Sequence, residues 1–233
     1  MRINCDIGER GADHPVDHQL MKTVDIANIA CGGHAGDQET VEAFRRIAAD
    51  EGVTVTAHLS YPDRENFGRA TMPISPGELM HQLQVQRELM KDVTVVKFHG
   101  ALYNDTCVDE QLAQVLGNWL GESGFTHVLT MPNSALARVC QRLDLTVIAE
   151  AFAERRYQFD KPAQTLVLRP RRHSDATIHD VVAAMDHVRD LVMHHSVTAV
   201  DGRTYQLDCD TVCVHSDSPI ALELAQRIRR EFG

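Results

Sequence analysis

The sequence predicts an α/β protein built on a mainly parallel sheet, and three observations carry that prediction. Short β-branched or apolar runs alternate with amphipathic helical stretches along the chain, the order that βαβ units produce. The 233 residues, 43% hydrophobic and 24% charged, suffice for one large core, and α/β barrels commonly use such a length as one domain. No linker, low-complexity tract or internal repeat interrupts the alternation. A single domain over residues 1–233 is expected, either a closed (β/α) barrel of seven or eight strands or an open doubly wound sheet.

The elements follow in order. RIN opens the chain as a strand signal, and DIANIA (25–30) is the second. Asp37 is placed to cap the helix that carries Val41, Phe44 and Ile47. VTVTA (53–57) precedes a helix announced by SPGE, in which Ser75 caps, Pro76 fits the first helical position and Glu78 completes a capping-box pattern. VTVVKF (93–98) leads to a helix after Asp109, and HVLT, LTVIA, SVTAV and TVCVH supply the remaining strand signals. The last helix, from Pro219, sets Ile220, Leu224, Ile228 and Phe232 on one apolar stripe. Glu154 to Asp175 has few periodic signals and reads as a long loop over a site.

Composition narrows the function. The net charge is −10, and basic residues cluster only at RPRRH (169–173), so nucleic acid is not an expected partner. Six cysteines occur without a C-x-x-C pair, and the chain opens without an export leader, which together predict reduced thiols in the cytoplasm. No apolar run approaches the roughly 20 residues that span a bilayer.

Catalytic groups in parallel α/β folds sit at the carboxyl ends of strands. Asp6 and Glu9 follow the first strand; Cys31, His34 and Asp37 the second; His58, Asp63 and Arg64 the third. Lys97, His99, Tyr103 and Asn104 follow the fourth, Glu150 and Arg155 follow LTVIA, and His215 and Asp217 follow TVCVH. Any one histidine could close a strand without function, but recurrence at equivalent places points to one clustered active site. Cys31 is more readily a small buried residue than a nucleophile.

The glycines of CGGHAGD allow positive φ and close approach of a ligand to main-chain amides. Neither G-x-x-x-x-G-K-[ST] nor G-x-G-x-x-G occurs, so a nucleotide would need Arg64, Arg69, Lys97 or Arg155 to neutralise its phosphates. HPVDH (14–18) has the look of a chelate, but Pro15 and its loop-like flanks argue against one. Asp6, His34 and His58 could converge on a divalent metal from three strand ends; no metal ligand set is assigned.

Six segments, NCDIGE, ANIACGGHAGD, AHLSYPDRENFGR, VKFHGALYN, EAFAERRY and VCVHSDSP, resemble in order and spacing the signatures of the LamB/YcsF family. The resemblance implies a seven-stranded (β/α) barrel akin to glycoside hydrolase and deacetylase barrels. It further implies ring opening of the lactam 5-oxoproline (pyroglutamate) to L-glutamate with ATP as co-substrate, the chain being the A subunit of a 5-oxoprolinase with partner subunits B and C. By motif match, Asp6, Glu9, His58, Lys97, His99 and His215 are the catalytic candidates. Asn28, His34, Asp37, Asp63, Arg64, Arg69, Tyr103, Asn104, Glu150, Arg155 and Asp217 are the candidates for binding substrate or nucleotide. The sequence departs from the family pattern at Gly33, Leu59, Phe98, Glu154 and Ser216. Two rival readings stand beside this one: a metal-dependent deacetylase or amidohydrolase using Asp6, His34 and His58, and a catalytically silent binding subunit.

Overall fold

Seven of the apolar runs form parallel strands, and every one of them pairs on both sides, so the sheet closes on itself. The computed structural model describes residues 1–233. Its first half runs β1 (Arg2–Ile7), α1 (Pro15–Leu20), β2 (Ile26–Ala30), α2 (Gln38–Glu51), β3 (Thr54–Leu59), α3 (Pro76–Glu88), β4 (Val95–Phe98), α4 (Gly100–Val108) and α5 (Glu110–Glu122). The second half runs β5 (His127–Thr130), α6 (Ala135–Arg142), β6 (Thr146–Phe152), β7 (Tyr157–Asp160), β8 (Thr165–Leu168), α7 (Val181–Met193), β9 (Ser196–Thr198), β10 (Thr204–Gln206), β11 (Thr211–His215) and α8 (Ala221–Phe232). The barrel order is β1-β11-β6-β5-β4-β3-β2. This is the seven-stranded closed form, and the open doubly wound alternative is excluded because each of the seven strands is bonded to two neighbours, leaving no edge.

Two expectations are corrected. SVTAV is not a barrel strand: β9 pairs antiparallel with β10 across a turn at Asp201 and Gly202, whose φ of 79° suits a tight hairpin. The segment Glu154 to Asp175 is not simply a loop, because β7 and β8 form an antiparallel hairpin within it, turning at Gln164 with φ 51°. That hairpin does lie over the barrel mouth.

Side chains alternate across each barrel strand. On β1, Ile3, Cys5 and Ile7 face the helices, while Asn4 and Asp6 face the lumen and meet Thr211, Asn28 and Lys97 there. The register lines up the lumen groups of adjacent strands: Asp6 is opposite both His215 and Asn28, and His58 is opposite Lys97. The outer faces pack with the helices into one apolar cluster of 57 buried residues. No helix is long and apolar enough to cross a membrane.

Helix starts follow local chemistry. Asp37 accepts from the Thr40 amide at 2.9 Å, and Ser75 accepts from the Glu78 amide at 3.3 Å. The capping box at Ser75 is half-made, since Glu78 accepts from Gln82 one turn on instead of reaching back. Gly36, at φ 74°, is obligatory: a Cβ there would sit 2.2 Å from the Ala30 carbonyl oxygen.

Phe44 of α2 is fully buried against the barrel. Phe44→Ala is expected to cost about 3–5 kcal/mol of stability, read as a lower urea midpoint with an unchanged slope.

Candidate active site at the barrel mouth

The lumen holds a buried cation between carboxylates. Lys97 Nζ lies 2.9 Å from Asp6 Oδ1, 2.8 Å from Glu150 Oε1 and 3.2 Å from Cys213 Sγ, so β4 is tied to β1, β6 and β11. Burial alone would drive the Lys97 ammonium down, but Asp6, Cys213 and Glu150 overcome it and hold the pKa well above the usual lysine value. Burial likewise opposes ionisation of Asp6, and His58 and Lys97 overcome it, holding this carboxyl well below its ordinary range. Asn28 Nδ2 donates to Asp6 Oδ1 at 2.9 Å and to Asn4 Oδ1 at 2.8 Å, which fixes the carboxylate's orientation. Tyr103 of α4 is buried, and its phenol is pushed well up by that burial and by the Glu150 carboxylate, so it stays a proton donor.

Beside this network stands a group of three histidines and one glutamate. His34 Nε2 is 3.0 Å from Glu9 Oε1, His99 Nδ1 is 3.1 Å from the same oxygen, and His58 Nε2 is 3.0 Å from His99 Nδ1. The rings of His34 and His99 stack at 3.6 Å, and Phe67 meets both edge-on. Burial is the main force lowering the pKa of His99 and of His34, and it takes His34 down to about 3. Glu9 is held well below the carboxylate range because His99 and His34 outweigh its own desolvation. Gly68, at φ 63°, sits so close beneath that an added Cβ would approach His34 to 2.9 Å.

Above both groups opens a cavity of about 470 Å³, lined by Asp6, Lys97, His99, Tyr103 and His215 below and by Arg69, Arg155 and Arg171 around the rim. The β7–β8 hairpin supplies one wall through Gln158, Asp160, Val167 and Leu168. His215 Nδ1 is 2.6 Å from Glu154 Oε1, which also accepts the His215 amide at 2.8 Å. Such a partner fixes the ring so that Nε2 is free for chemistry. Arg69 pairs with Asp217 at 2.6 Å over the Phe67 ring. Arg155 is buried, donates to the Arg169 carbonyl at 2.8 Å, and is pushed down to about 10 by burial and by Arg171, which leaves it charged at neutral pH.

The fold therefore brings together Asp6, Glu9, Asn28, His34, His58, Lys97, His99, Tyr103, Glu150 and His215, with Arg69, Arg155, Asn104 and Asp217 at the rim. Three candidates lie apart. Asp37 is exposed and serves as a helix cap, Asp63 accepts from the Asn66 amide in a turn, and Arg64 is exposed and donates to the Gly36 carbonyl. In HPVDH, His18 bonds the Ala12 carbonyl and His14 faces Asp17, so neither joins the cluster. Cys31 is buried, its thiol pushed by burial up to about 12, which makes it inert as a nucleophile. Sequence reasoning missed Asn4, Glu154, Cys213 and Arg171 as members of the site. Glu154 is four residues past Glu150 and nothing local marks it as the partner of a histidine 61 residues away.

The LamB/YcsF family model matches residues 1–233. The chain belongs to the LamB/YcsF family. The 5-oxoprolinase A subunit from Chloroflexus aggregans (strain MD-66 / DSM 9485) is 37% identical over 240 residues, covering 97% of this chain and 92% of that protein. The 5-oxoprolinase A subunit from Staphylococcus carnosus (strain TM300) is 33% identical over 241 residues, 99% of this chain and 94% of the other. Among solved structures, the lactam utilization protein from Thermus thermophilus superposes with a TM-score of 0.83 at 30% identity, covering 99% of this chain and 94% of that one. These likenesses span the barrel from end to end.

His34 carries a pH prediction. Its folded pKa, about 3, lies below the ordinary value of 6.5, so between those limits the unfolded chain binds a proton that the native chain does not. Stability is then lost as pH falls from about 6.5 toward 3. His34→Gln is expected to flatten the low-pH arm of a urea-midpoint profile; an unchanged arm would remove His34 from the acid response.

Proposed function

We propose that this chain catalyses the hydrolytic ring opening of 5-oxoproline to L-glutamate with ATP as co-substrate, as the A subunit of a complex with partner subunits B and C. What supports the reading is one cavity in which an ionised Asp6 beside Lys97, a Glu154-held His215 and four arginines face the same space, in a chain 37% identical to a 5-oxoprolinase A subunit.

A lactam resists water because amide resonance feeds electrons to its carbonyl carbon. Transfer of the γ-phosphoryl group of ATP to the lactam oxygen leaves that carbon electrophilic. Water then adds there, the C–N bond breaks as the nitrogen gains a proton, and a second water releases phosphate. The arginines at the rim, Arg69, Arg155 and Arg171, are placed to neutralise phosphate charge, and a fixed guanidinium suits that better than solvent. His215 Nε2 takes the proton of the attacking water and returns it to the departing nitrogen, as a positioned imidazole can. Lys97, held charged by Asp6 and Glu150, offers positive potential to the developing oxyanion. Tyr103, which also lines the cavity, donates to the substrate.

The test is reconstitution: the chain, its partner subunits, 5-oxoproline and ATP, with glutamate and ADP assayed together. His215→Asn and Asp6→Asn are each expected to lower turnover about 10²–10⁴-fold with an unchanged circular dichroism spectrum. Turnover that survives both substitutions would take these residues out of the chemistry, and a folded complex that releases neither product would overturn the reading.

A further inference from the structure

The outer nitrogens of two histidines decide what the inner ones can do. His58 Nδ1 faces the Lys97 carbonyl oxygen at 3.3 Å, and His99 Nε2 faces the Phe67 carbonyl oxygen at 3.0 Å. A carbonyl only accepts, so each of these nitrogens carries its ring's hydrogen. With their other nitrogens taken up by carbonyls, His58 Nε2 and His99 Nδ1 point at each other across 3.0 Å and have room for one proton between them at most. Glu9 Oε1 adds a third electron-rich atom, 3.1 Å from His99 Nδ1 and 3.7 Å from His58 Nε2. Three electron-rich atoms at such separations repel unless a proton or a metal ion lies among them, and one proton can bridge only one of the three edges.

We infer that Glu9 Oε1, His58 Nε2 and His99 Nδ1 are the protein ligands of a divalent transition-metal ion of the zinc class. Bonds of about 2.0–2.1 Å put neighbouring ligand atoms about 2.8–3.4 Å apart in octahedral or tetrahedral geometry. Two of the three edges, 3.0 and 3.1 Å, fall within that range, and the third, 3.7 Å, is a few tenths of an ångström longer. The backbone carbonyls on the far side of both rings are the outer partners that metal-bound histidines ordinarily have. The surrounding charge agrees: Asp6, Glu9, Glu150 and Glu154 crowd the lumen with Lys97 as the buried ammonium among them. Two imidazoles and one carboxylate favour zinc-like ions over magnesium or calcium, which prefer oxygen.

His34 belongs to the site in a different way. Its ring is parallel to that of His99, 3° between planes at 3.6 Å, and in-plane lone pairs of two parallel rings do not meet at one ion. It is a positioning residue, holding Glu9 Oε1 at 3.0 Å. Asp6 Oδ2, 3.4 Å from His58 Nε2, stands on the side open to the cavity, which His99 also lines. Three protein ligands with an open side match catalytic rather than structural zinc sites. This site is independent of the lactam reading, since it concerns binding and not a substrate.

The experiment uses the full chain, stripped with a chelator and titrated with Zn²⁺ by calorimetry, then loaded with Co²⁺ for visible absorption and pulsed electron paramagnetic resonance. One ion per chain is expected, with two directly bonded imidazole nitrogens in the resonance spectrum. Changing an outer partner of a metal site weakens binding about 10–100-fold, so His58→Ala, His99→Ala and Glu9→Gln should each weaken Zn²⁺ by at least about that much. The double variant His14→Ala/His18→Ala should leave affinity unchanged. Should the buried-site variants fail to fold, the nitrogen count on the wild-type chain decides alone. No stoichiometric ion, fewer than two bonded nitrogens, or binding lost only in the His14/His18 variant would overturn the inference. So would ¹⁵N resonances showing a proton still bridging His58 and His99 with one equivalent of Zn²⁺ present.

Discussion

Everything at the mouth of this barrel is arranged around one ammonium group placed where water is not. Lys97 sits on β4 with Asp6 of β1 and Glu150 of β6 within 2.9 Å. Removing one partner from a buried pair typically costs about 3–5 kcal/mol, because the other charge is left unpaired. The lysine is therefore a cross-brace among strands and the counter-charge that lets carboxylates stand in the lumen. Its presence obliges Asp6 to stay ionised, and an ionised Asp6 in turn calls for the amide of Asn28 to orient it.

The strand alternation keeps two chemistries apart. Outward positions pack apolar side chains under the helices, and inward positions carry polar groups that pair across the lumen, as Asn4 does with Thr211 and Asn28. A barrel with an apolar interior would hold together equally well but would have no means of presenting charge at its mouth. Vertical separation matters too. Asp6, Glu150, Lys97 and the imidazoles of His58 and His99 are buried, as is Arg155, while Arg69 and Arg171 are exposed at the opening. An anionic ligand would meet cations first and acid–base groups only when seated.

Much of this was legible in the chain. Strand ends that terminate in histidine, lysine and carboxylate residues betray a shared rim because parallel strands all finish on the same side. The alternation of strand and helix signals likewise told of βαβ connectivity, and the family resemblance set the strand number at seven. What stayed hidden was local ambiguity or long-range pairing. SVTAV has the composition of a core strand, and only the Asp-Gly turn after it explains why β9 folds back on β10. YQFD and TLVL are four-residue strands, too short to show a period. Asp37 was legible as a helix cap and also matched a binding motif; its exposure leaves it the first role. Glu154 escaped because its partner His215 is distant in sequence, and a buried carboxylate announces itself only through the group it touches.

The strand β11 is inserted between β1 and β6, near the far end of the chain. Until it is made, the first and sixth strands are open edges of an unfinished sheet, and unpaired edges invite association with other chains. The same late segment brings His215 to the cavity and Cys213 to Lys97. The five residues of β11 therefore close the sheet and complete the cavity together.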